Sequence, residues 1–80
     1  MELRRTYHHQ LDELTSDVAR LAAMASEAIQ AGTKALLEFD IFLAERVVVD
    51  DAALDQLTDS IEERVYNLMA LQQPMARDLR

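Results

Sequence analysis

The chain has 80 residues, about half the usual size of one domain, so at most one domain is expected. Fifteen acids stand against eight bases, giving a formal net charge of −7, which argues against a nucleic-acid binder, since phosphates need an excess of Lys and Arg. With no cysteine there is no disulfide, no thiolate zinc site and no Cys nucleophile, and one Gly, one Pro and 50% hydrophobic residues argue against a loop-rich or disordered chain. No apolar run approaches the ~20 residues of a membrane span. Residues Met1 to His9 carry no apolar signal-peptide core after Arg4 and Arg5, so a cytoplasmic location is expected.

Gly32 and Pro74 are the strong helix breakers, and the residues between them favour helix. From Leu11 the apolar or small residues fall at Leu11, Leu14, Val18, Leu21, Ala25, Ala28, Gly32, Ala35 and Phe39, in alternating steps of three and four. That is a heptad seam without strand alternation. It predicts a first helix from about Thr6 or Tyr7 to Glu38, roughly 45–50 Å long at 1.5 Å per residue. The middle of the seam is small. Gly32 costs about 1 kcal/mol relative to Ala in a helix interior, which either a close helix crossing or a mild kink would explain.

Phe39-Asp40-Ile41 interrupts the seam, and Asp40 is a good N-cap for a second helix. That helix carries Leu43, Val47, Leu54, Leu57, Ile61, Val65 and Leu68 at helical spacings. The run Val47-Val48-Val49 lacks flanking turn signals and reads as helix. The second helix is expected over about 41–72, with Pro74 in the first turn of a third that opens through Met75 to Arg80. Met24, Met69 and Met75 read as core filler. A short link between long helices makes them antiparallel. The fold class is all-α: a long antiparallel hairpin with the start of a third helix. Two helices leave much of each seam exposed, so the chain is expected to borrow further helices from another copy or from a larger chain.

The charge is local. Between Glu38 and Glu63 lie nine acids and one base, Arg46. Asp51, Asp55 and Asp59 recur every fourth residue and so form a column on one helical face. They repel one another, and Asp is a poorer helix former than Glu. Asp51 and Asp55 flank Leu54 at the border of the seam. Two carboxylates at this spacing can hold a hard or borderline cation, and they can equally be a solvated acidic face.

Other chemistry is sparse. His8 and His9 are adjacent and point apart on a helix, so they make no joint metal site. Ser16, Ser26 and Ser60 lack a nucleophile-elbow context, and one glycine makes no phosphate-cradling loop. Arg77 and Arg80 near a helix start can meet a phosphate or form surface ion pairs with Asp78. The carboxylate-metal enzymes built on helical bundles need a Glu-x-x-His motif, and neither histidine has a Glu three places before it. The chain does not read as an enzyme.

The order of its segments resembles one repeat of the PhoU family of phosphate-transport regulators. The matching residues are Tyr7-His8-His9-Gln10-Leu11-Asp12-Glu13-Leu14, Ala35-Leu36-Leu37-Glu38-Phe39-Asp40, Leu43-Ala44-Glu45-Arg46-Val47 and Asp51-Ala52-Ala53-Leu54-Asp55. Leu71-Gln72-Gln73-Pro74 with Asp78-Leu79-Arg80 is the most specific match. The resemblance implies the N-terminal part of the first of two three-helix-bundle repeats. It also implies a peripheral cytoplasmic protein that meets the membrane only through its partners, the phosphate ABC transporter and its sensor histidine kinase. Such a protein keeps the phosphate-starvation response off, and thereby regulates transcription indirectly.

Some members of the family bind iron, zinc or similar cations through paired E/D-x-x-x-D motifs. Asp51 and Asp55 match the first motif of a repeat. The partner E-x-x-x-D motif on the third helix lies beyond Asp78-Leu79-Arg80, so one copy of these residues makes an incomplete cluster site. Asp59 and Asp78 match no ligand position. The competing reading is a ligand-free structural hairpin that self-associates into a helical bundle as a homo-oligomer.

Overall fold

The computed structural model describes the backbone of residues 2–78 and the side chains of residues 4–71. Two helices make up the fold, α1 (Glu2–Glu38) and α2 (Ile41–Asp78), packed against each other as an antiparallel hairpin. The molecule is a rod of 58 × 19 × 17 Å. Its radius of gyration is 18.2 Å, against about 12 Å for a compact domain of this length.

The hairpin bend occupies two residues. Phe39 takes the left-handed conformation, φ 52°, and the Asp40 amide donates to the Ala35 carbonyl at 2.9 Å. This is the six-to-one bond of a Schellman stop, with phenylalanine where glycine is usual. A β-carbon in that region costs on the order of 1 kcal/mol. Asp40 then starts α2: its Oδ1 accepts from the Leu43 amide at 3.0 Å and its carbonyl from the Ala44 amide at 3.0 Å. Asp40 thus closes one helix with its N–H and opens the next with its side chain, as the N-cap reading requires.

The shared core is thin. Leu14, Ala35 and Ile61 are buried. Leu21, Met24, Ala25, Ala28, Leu43, Val47, Leu54, Leu57 and Leu68 are half-buried between the helices. The heptad seam is therefore split. Leu14, Leu21, Ala28 and Ala35 face α2, while Leu11 and Val18 lie on the flank of the contact and are exposed. Phe39, placed at the end of the seam by its spacing, is 91% exposed, because the left-handed bend turns it off the α1 face. Met69, read as core filler, is also exposed. The side chain of Met75 lies outside the described residues. Val47, Val48 and Val49 are helical, with Val48 and Val49 turned to solvent.

Gly32 sits in unbroken helix, and a β-carbon built there meets nothing within 4 Å. A close crossing by α2 therefore does not explain the glycine.

Two helix limits differ from expectation. α1 begins at Glu2, ahead of Thr6, because Glu2-Leu3-Arg4-Arg5 contains no breaker. α2 does not end near Leu71–Gln73. It runs through Pro74 to Asp78, with no new helix starting at the proline. A proline deletes one ladder hydrogen bond, and its neighbours Gln72, Gln73, Met75, Ala76 and Arg77 are good helix formers.

Candidate functional site: the acidic face and the hairpin tip

The Asp51 and Asp55 carboxylates stand one turn apart on α2, both exposed. Among the described residues neither has a basic partner, whereas Asp50 is approached by Arg46 (Nε to Oδ2, 4.0 Å). Asp59 is exposed further along the same helix. No cluster of three or more His, Cys, Asp or Glu able to hold a metal is found among the described residues. As a donor set, Asp51 and Asp55 suit a hard or borderline cation, and they supply two ligands of the four or more such an ion takes.

Asp51 also lines a depression of about 340 Å³ between the helices, together with Glu27, Ala28 and Met24 of α1 and Arg46, Asp50 and Leu54 of α2. Asp55 is not part of this depression. Glu27 went unnoticed in the sequence because nothing in one helix marks which residue of the other will lie across from it.

His8 and His9 are exposed and share no site. The Tyr7 and His8 rings meet edge to face at 5.9 Å, and His9 Nε2 lies 2.8 Å from Glu13 Oε1 one turn on. The side chains of Arg77, Asp78 and Arg80 lie outside the described residues. An ion pair missed in the sequence crosses the hairpin: Arg64 Nη2 to Asp17 Oδ2, 2.7 Å, with the side chains 35% and 26% exposed. A signal was available. Asp17 lies three after Leu14 and beside Val18, and Arg64 lies three after Ile61 and beside Val65, so each is a charge bordering its helix's apolar seam.

Large apolar side chains are exposed far beyond what a finished surface needs. Leu11, Val18, Ile29 and Leu36 recur along one flank of α1, and Ile41, Val48, Val65 and Met69 along α2. An open depression of about 410 Å³ lies at the bend, lined by Gly32, Ala35, Leu36, Phe39, Ile41 and Ala44 among others. No helix among the described residues is long and apolar enough to cross a membrane.

The PhoU domain model matches residues 18–80, which takes in the second half of α1, the bend, α2 and the acidic column. The chain belongs to the PhoU family. It is 40% identical over 78 residues to the phosphate-specific transport system accessory protein PhoU homolog 2 of Mycobacterium tuberculosis, covering 98% of this chain and 37% of that protein. It is 38% identical over 78 residues to PhoU homolog 1 of Mycobacterium leprae (98% and 35%), and 38% identical over 76 residues to the PhoU homolog of Caulobacter vibrioides (95% and 33%). The chain therefore spans about one-third of the length of these curated relatives. No solved structure matches. The PhoU match adds what spacing could not: it makes the all-α hairpin part of a family whose named members are accessory proteins of phosphate transport.

Proposed function

We propose that this PhoU-family chain is a non-catalytic regulatory unit that restrains phosphate uptake and phosphate-starvation signalling by protein contact. The observation that carries the reading is the PhoU match over residues 18–80, with 36–40% identity to accessory proteins of phosphate-specific transport. The partners by family resemblance are the phosphate ABC transporter and its sensor histidine kinase, met at the cytoplasmic face of the membrane. The geometry is compatible with this. Two long helices expose broad lateral faces, and nothing among the described residues builds an enclosed reaction site.

The acidic face has a part in the proposal. Asp51 and Asp55 would hold a cation such as iron or zinc, with further ligands from outside the described residues. A bound cation would supply positive charge to a face of excess negative charge and so ease its approach to an anionic partner. The exposed apolar flanks of α1 and α2 favour a second reading of the same surface, a ligand-free hairpin that assembles with further helices. The two readings differ at the aspartates.

The experiment is deletion of the gene, followed by complementation with the whole protein carrying its natural residues or Asp51→Asn with Asp55→Asn. Deletion raises phosphate uptake in phosphate-replete cells and the natural protein restores repression. Loss of repression in the double variant supports the cation-dependent form, and full repression by it supports the ligand-free form. Unchanged uptake on deletion overturns the regulatory reading.

A further inference from the structure

The bend interrupts the apolar run of the chain but not its phase. From Leu11 to Phe39 the seam advances in steps of three and four. From Phe39 it goes on to Leu43, Val47, Leu54, Leu57, Ile61, Val65 and Leu68, in steps of four, four, seven, three, four, four and three. One straight helix through residues 39 and 40 therefore carries a single unbroken seam. No glycine or proline lies between Gly32 and Pro74 to forbid it. The hairpin instead depends on Phe39, which takes φ 52° and leaves the seam for 91% exposure. Straightening the bend returns Phe39 to a right-handed backbone and to its place in the seam. What is lost is local. Helix ladder bonds replace the bond from the Asp40 amide to the Ala35 carbonyl, and the Asp40 cap on the Leu43 amide is given up.

A straight chain also loses the contact of α1 with α2, unless a second copy restores it. Two straight copies lying antiparallel do so, because each offers its α1 to the α2 of the other. Asp17 and Arg64, paired in the hairpin, lie equally far on either side of the midpoint between residues 40 and 41. The same pairing therefore forms between copies that cross at that midpoint. The charge there opposes it only weakly. From Lys34 to Arg46 each copy carries two bases and three acids, a net charge of −1. A short connection under strain favours such an exchange. We infer that Phe39 and Asp40 form a hinge, through which the closed hairpin exchanges with a dimer of straightened chains, each α1 packed on the α2 of the other copy. Protein concentration sets the balance between the two forms. The inference is independent of the regulatory reading above.

The test uses the whole protein with spin labels at two exposed positions, Ser26→Cys and Gln56→Cys, and with any further cysteine replaced by serine. In the hairpin the two positions lie on either side of a rod 19 × 17 Å in section. In one continuous helix, 30 residues separate them by about 45 Å. Labelled protein is refolded with an excess of unlabelled protein, so that pulsed EPR reads distances within one chain, and sedimentation equilibrium reads the dimer. The dimer is expected to grow with concentration and to show the long distance, while the monomer shows the short one. Phe39→Gly fits the left-handed stop and is expected to weaken the dimer about tenfold or more, since it acts once in each copy. Asp40→Ala removes the cap and favours continuous helix, and is expected to strengthen the dimer by a similar factor. A monomer at every concentration overturns the inference. So does a dimer that keeps the short distance, or a dimerisation constant that the two variants do not move in opposite directions.

Discussion

The Arg64 guanidinium reaches across the hairpin to Asp17, Nη2 to Oδ2 at 2.7 Å, with both groups partly exposed. Around it the helix contact is made of Leu, Ile, Val, Ala and Met side chains. The two-residue bend sets the register of the hairpin, and the pair adds to that register what a partly exposed ion pair contributes. A double-mutant cycle with Asp17→Asn and Arg64→Gln is expected to give a coupling of about 0.5–1 kcal/mol, the range for partly exposed pairs. Urea denaturation at low and high salt checks it, and the coupling shrinks as salt rises.

Gly32 is costly to α1, and the hairpin gains nothing from it. With open space where its β-carbon would go, Gly32→Ala is expected to stabilise the protein by roughly 0.5–1 kcal/mol. Thermal denaturation reads this as a higher midpoint. A lower midpoint means that another part of the protein approaches Gly32 closely.

Asp40 carries the start of α2 through its bond to the Leu43 amide. Asp40→Ala is expected to cost about 1 kcal/mol, and Asp40→Asn or Asp40→Ser much less, since each keeps an oxygen for the cap. The ranking of the three denaturation midpoints is the measurement.

Much of this was legible in the sequence. The three-four spacing from Leu11 to Ala35 gives α1, and Asp40 marks the start of α2, because caps and periodicity are local. What was missed depends on the partner helix or on geometry at a single residue. Periodicity places Leu11 and Leu14 on one seam alike, yet only their position relative to α2 decides that Leu14 is buried and Leu11 exposed. Phe39 in a left-handed stop is invisible to composition, since glycine is the residue that usually signals one. At Pro74 the breaker rule overestimated the proline, and α2 carries on to Asp78. The Asp51–Asp55 spacing was readable, but which groups approach from other helices cannot be read from one helix.

Asp51 and Asp55 repel each other across one turn of α2. In metal-free protein, Asp51→Asn with Asp55→Asn is expected to raise stability by a few tenths of a kcal/mol, as relief of a like-charge pair does. In the whole protein purified without chelator, the same change is expected to remove bound iron or zinc, read by elemental analysis. Equal metal content in both proteins places the cation elsewhere.

On the proposed reading, this PhoU-family protein restrains phosphate transport by direct contact. The most direct measurement is phosphate uptake by membrane vesicles carrying the same organism's phosphate ABC transporter, with and without the purified whole protein on the cytoplasmic side. Uptake is expected to fall as the protein is added and to saturate as a binding isotherm. Uptake that is unchanged at saturating protein would contradict it.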